Sequence, residues 1–79
     1  MTELYKLPEP SKMRIRLKDG NIADCTFHHV DGGYSYCTID DVLDFPDVKS
    51  KVFHLSASSE LIEVDGRWEL LAQQKDGKI

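Results

Sequence analysis

Residues 25–37, CTFHHVDGGYSYC, place two cysteines, two adjacent histidines and a glycine pair in one short stretch. These residue types in such a run could hold zinc, form a disulfide, or make a β-hairpin with polar side chains. Zinc takes tetrahedral Cys and His ligands, usually four in a structural site and in closely spaced pairs. Cys25-x-x-His28 is one such pair and no second follows; His54 is the remaining histidine. If a hairpin turns at Asp31–Gly33, residues whose numbers sum to about 62–65 face each other, which brings Cys25 near Cys37. His29 then shares their face, and Cys25, His29 and Cys37 become a possible three-ligand metal set. The same proximity would permit a disulfide, although nothing in the sequence points to an oxidising compartment. The reading adopted is plainer. Cys25 and Cys37 act as small buried hydrophobes and His28 and His29 straddle the sheet near its rim, with no metal or cofactor.

Other catalytic signatures are missing. The chain has no Cys-x-x-Cys, no glycine-rich phosphate loop leading into a helix with Lys-Ser/Thr, and no nucleophile elbow. Asp40, Asp41, Asp44 and Asp47 lack the spacing and glycine of a calcium hand, and read as a solvated acidic loop or one that meets a basic partner. An enzyme is not expected.

With 79 residues the chain makes one domain with one thin core. A chain of this size buries only about 60–65% of its unfolded surface. Hydrophobic residues at 41% and charged residues at 30% fit a globular protein. The apolar runs are too short to span a membrane, and the N-terminus lacks a signal peptide's basic and apolar regions, so a cytoplasmic location is expected. The net charge of −4 argues against a strong non-specific hold on nucleic acid. Within that acidic whole, Lys12, Arg14, Arg16 and Lys18 form a local basic stripe. Alternating charges of this kind are first of all a solvated strand face.

The elements that would position these residues are strands. Residues 1–11, with Pro8 and Pro10, read as an extended N-terminal arm. Residues 12–17 alternate Lys12, Arg14, Arg16 against Met13, Ile15, Leu17, the period of a half-buried strand. Asp19-Gly20 is a tight-turn dipeptide. Residues 21–30 place Ala23, Cys25, Phe27 and His29 on one side, and Ile22, out of step, suggests a bulge near the turn. After Asp31–Gly33, residues 34–39 form a further strand. Residues 38–47 read as a loop or a single helical turn, with Thr38 and Asp41 imitating a capping box. Strands are expected at 51–56, 60–64 and 67–72, the last two joined by Asp65-Gly66, and 73–79 is a flexible tail. The whole predicts a mainly β domain over 12–72, a small bent five-stranded antiparallel sheet or open barrel with at most one short helical turn.

Residues 13–45 resemble the first motif of Sm and Sm-like proteins. The resemblance is carried by Leu17, Asp19, Gly20, Ile22, Phe27 and Asp31. It implies a strongly bent five-stranded sheet of Sm-like or Src-homology-three-like form, able to assemble edge to edge into a ring. The chain departs from the family at Cys25, where glycine is usual, and at Ser35, where the turn usually has asparagine. It also has Ser56-Ala57 where an Arg-Gly pair helps hold a base, so the resemblance does not carry over the RNA site.

Three functions follow as expectations. The first is a non-enzymatic binding module that recognises a protein partner or a second copy of itself through Arg14, Arg16, Tyr34, Asp40, Asp41, Asp44 and Arg67. Tyr, Trp and Arg are the residue types enriched at binding hot spots. Trp68 and Tyr36 are expected in the core, and Tyr34, beside the turn, on the surface. The second is a single-stranded RNA or nucleotide binder using Arg14, Arg16, Tyr34 and His28 or His29. The third is a small acidic inhibitor of viral or mobile-element type, whose Asp40, Asp41, Asp44, Asp47, Glu60 and Glu63 would occlude a basic site on a host protein.

Overall fold

Alternation along two neighbouring segments sets the sheet. In the computed structural model, which describes residues 1–18, 20–40 and 52–75, Ser11, Met13 and Ile15 are buried while Lys12 is exposed and Arg14 and Arg16 are half-buried. This strand, β2 (Ser11–Arg16), follows a two-residue β1 (Thr2–Glu3) and a 3-10 turn, Leu4–Lys6. β2 pairs antiparallel with β3 (Ile22–Asp31), from Ser11↔Phe27 to Arg16↔Ile22. β4 (Tyr34–Ile39) returns through a two-residue turn, with Asp31 opposite Tyr34 and Gly32 at φ 66°. Glycine takes that left-handed conformation without the steric cost of a Cβ.

β5 (Val52–Phe53) adds to β4, and β6 (Glu60–Val64) leads into β7 (Arg67–Leu70). The turn between them has Asp65 at φ 53° and Gly66 at φ 83°, the two positive angles of a type I′ hairpin. β7 lies beside β2, parallel to it, with Met13↔Trp68 and Arg14↔Glu69. A short helix, α1 (Leu71–Lys75), follows. The result is one open sheet in the order β1-β6-β7-β2-β3-β4-β5.

The mainly β expectation holds, with two corrections. Among the described residues the sheet has seven strands and not five, because the two-residue strands β1 and β5 extend its edges. It is not wholly antiparallel either. The chain between β2 and β7 includes four strands, length enough for the crossover that a parallel pair needs.

The N-terminal residues do not form a separate arm. β1 pairs with β6, and Leu4 and Leu7 are buried in the core with Met13, Ile15, Phe27, Ile39 and Leu61. Two leucines in the first turn outweigh the extended bias of the prolines, since burying each is worth about 1.5–3 kcal/mol. Likewise Gln73 and Gln74, expected in a flexible tail, lie in α1 and bond to the sheet. Residues 55–59 strap the two sides of the sheet together. Ser35 N–H donates to Leu55 O and Ala57 N–H to Gly33 O, both at 2.9 Å, on the β4 side. Tyr5 N–H donates to Ala57 O at 3.0 Å and Leu4 N–H to Ser59 O at 2.8 Å on the N-terminal side. Among the described residues no helix is long and apolar enough to cross a membrane.

Candidate functional site

The bulge in β3 decides what the hairpin displays. Phe27 pairs with Cys37, but the next pair is His29 with Tyr36, so His28 is an extra residue on its strand. Alternation resumes one step late. Val30 turns toward the core, and both histidine rings pack on Tyr36, on the outer face. The expected bulge near Ile22 is not there; Ile22 pairs regularly with Arg16 as an exposed apolar residue on the outer face.

The histidines therefore do not straddle the sheet as expected, and the alternative three-ligand set of Cys25, His29 and Cys37 does not form. Cys25 lies opposite Ile39 and Cys37 opposite Phe27, so the two thiols are diagonal neighbours inside the core, and both are free. His29 is on the other side of the sheet and cannot join them. Among the described residues no three His, Cys, Asp or Glu side chains come together to hold a metal. Burial pushes the Cys25 thiol up to about 12, with Cys37, Asp40 and Asp24 adding to the effect. Burial also raises Cys37, partly offset by its hydrogen bond with Ser35 Oγ at 3.3 Å.

On the outer face, His29 stacks on Tyr36 with ring centroids 5.3 Å apart and planes at 16°. His28 packs on the same ring at 5.2 Å and 51°, and its Nε2 is hydrogen-bonded to Thr38 Oγ1 at 2.7 Å. Tyr36, expected in the core, is therefore a half-buried outer residue clamped by two imidazoles. Tyr34 is 63% exposed, as expected beside the turn. His54, just after β5, is held by a 2.7 Å hydrogen bond between Nδ1 and the Ser35 carbonyl. A carbonyl only accepts, so Nδ1 carries the proton and, in the neutral ring, Nε2 is an acceptor. His29, Asp31, Tyr34, Ser35, Tyr36 and His54 line an open cleft of about 410 Å³. His54 was missed in the sequence because a lone histidine in a strand-like segment gives no signal. The strap pairing beside β4 is what brings it here.

The basic stripe is outside this cleft and is largely paired. Lys12 Nζ meets Asp40 Oδ2 at 3.2 Å, and Thr26 Oγ1 donates to Asp40 Oδ1 at 2.7 Å. Arg14 lies 3.6 Å from both Asp24 and Glu69, and Arg67 lies 3.6 Å from Asp24. Glu69 faces outward in register with Arg14 yet is only 1% exposed, covered by Arg14 and by Gln74, whose amide donates to it. Arg16 is at the same end of β2, its backbone bonded to Gln73.

The residues expected to bind nucleotide are not all brought together. Arg14 pairs with Asp24 and Tyr34 with Asp31. Those two aspartates are separated by most of β3, roughly 20 Å at a strand's rise per residue. His28 and Tyr34 share the hairpin end, while Arg14, Arg16 and Arg67 cluster at the other. Of the acidic set, Asp40 is engaged by Lys12 and Thr26, Glu60 and Glu63 are exposed on β6, and Asp41, Asp44 and Asp47 lie outside the described residues. Trp68 is half-buried against the core, opposite Met13. No family model, no curated protein and no solved structure matches this chain.

Proposed function

We propose that this chain is a non-enzymatic binding module, a small β-barrel domain that recognises a protein partner with the outer face of its β3–β4 hairpin. The observation that carries this reading is Tyr34, exposed at the mouth of a cleft whose walls are an ordered His29–Tyr36 stack and His54. Rigid aromatic groups lose little conformational freedom on binding and dominate hot spots. The site thus offers contact area that is already organised. Self-assembly through the basic stripe has less support, because Lys12 and Arg14 are engaged within the chain.

The test is site-specific photo-crosslinking in the native cell, with the probe at position 34 and, as control, at the exposed Asp65 of the other hairpin. The reading expects one protein adduct at position 34, competed by excess wild-type chain and not by Tyr34→Ala. Adducts identical at both positions, or none at position 34, would count against it. A ladder of self-adducts at position 34 would replace the partner with a second copy.

A further inference from the structure

We infer that the cleft beside Tyr34 receives an arginine side chain from a basic segment of the partner, an inference that rests on the binding-module reading above. Two strong acceptors stand in the cleft, beside the His29 ring and the Tyr34 and Tyr36 hydroxyls, which can each donate and accept. The Asp31 carboxylate is exposed and has no ion-pair partner among the described residues. His54 spends Nδ1–H on the Ser35 carbonyl, which leaves Nε2 of the neutral ring to accept. Among the described residues no lysine or arginine lines the cleft.

A guanidinium is complementary to this arrangement: planar, positively charged, with five donors and no acceptor. Its flat faces stack on aromatic rings, and the exposed Tyr34 ring and the His29–Tyr36 stack supply such surfaces. Lysine has the charge without the plane. A phosphate-bearing ligand would meet the Asp31 carboxylate, with no lysine or arginine among the described residues of the cleft to neutralise it. The net charge of −4 adds long-range attraction for a basic segment.

The experiment is an NMR titration of the isotope-labelled full chain with a short blocked peptide containing two arginines. The same peptide with citrulline, which keeps the shape and loses the charge, is the first comparison. A lysine version and adenosine monophosphate are the others. The arginine peptide is expected to shift the backbone amides of Asp31, Tyr34 and His54 and to bind about tenfold more tightly than the citrulline peptide. Asp31→Asn is expected to weaken it by about fivefold, while Asp65→Asn, in the other hairpin, leaves it unchanged. Equal binding of the citrulline peptide, an equal effect of Asp65→Asn, or adenosine monophosphate binding at these amides in preference to arginine would overturn the assignment. If the arginine peptide leaves the cleft untouched while the crosslink at position 34 persists, the occupant is wrong and the module reading stands. If both are absent, both fall.

Discussion

Gln73 continues the pairing of β2 beyond the end of β7. Its Oε1 accepts from Arg16 N–H and its Nε2 donates to Arg16 O, both at 2.9 Å, so a side-chain amide imitates a strand residue. The backbone partner that β7 would have supplied there has already turned into α1.

Gln73→Ala should therefore destabilise the domain by about 1–3 kcal/mol, since two hydrogen bonds are lost and the Arg16 groups are left facing the helix. Gln73→Glu should cost more than its near-identical shape suggests, because a carboxylate cannot donate to the Arg16 carbonyl. Urea unfolding gives the stability. Hydrogen exchange at the Arg16 amide shows whether the loss is local.

Glu69 and Arg14 form a second dependency across the same seam. Glu69 is buried on what would otherwise be a solvent face, and Arg14 is the charge that compensates it at 3.6 Å. Arg14→Met should cost about 2–3 kcal/mol by leaving a buried carboxylate without a cation, and Glu69→Gln should cost less. Combining Arg14→Met with Glu69→Gln should cost less than the two single changes added together. A double-mutant cycle of unfolding free energies checks this, and strict additivity would show that the pair is not coupled.

The two buried thiols make stability fall at alkaline pH. Cys25 is raised from 9.0 to about 12 in the folded chain, so the folded state holds its proton where the unfolded chain has released it. Stability from this source is complete below pH 9 and falls as the pH rises toward 12. The slope is about 1.4 kcal/mol per pH unit for each thiol ionised only in the unfolded state. Cys37 shifts in the same direction and steepens the fall. Cys25→Ala should flatten it, as read from urea midpoints between pH 8 and about pH 10.5. Both thiols should react with an alkylating reagent at the rate of global opening.

What the sequence discloses here is the local part of the fold. Asp65-Gly66 and Gly32-Gly33 are legible because turn chemistry is written in adjacent residues, the strand at 34–39 because its residues are strand formers, and that at 60–64 because its apolar residues alternate beside the turn. Thr2–Glu3 and Val52–Phe53 are too short to show any period, so the edges of the sheet were not legible. The parallel β2–β7 pair joins residues far apart in the chain, and with it came the burial of Glu69, an acid whose sequence context reads as solvated. In α1, Leu71, Ala72, Gln73 and Gln74 are good helix formers, yet a helix this short forms only because it docks. A hairpin turning at Asp31–Gly33 predicts the partner of Cys25 to within two residues, yet regular alternation predicts His29 on the inner face, and it lies on the outer one. One extra residue reverses every side chain beyond it.

That extra residue allows a sharp test. Deleting His28 removes the bulge and leaves Phe27, His29, Val30 and Asp31 in unbroken alternation, with Val30 still inward and Asp31 still opposite Tyr34. The protein should fold, losing about 1–2 kcal/mol for the Thr38 hydrogen bond and the ring contact with Tyr36. Deleting Thr26 instead, one residue before the buried Phe27, would carry Phe27 to the outer face and should abolish folding. Near-ultraviolet circular dichroism separates a folded chain from an unpacked one, and cross-strand contacts between His29 and Tyr36 report the register. A His28 deletion that unfolds the domain would mean that the bulge's added twist, and not only its side chain, is required to bring Asp31, Tyr34 and His54 around one cleft.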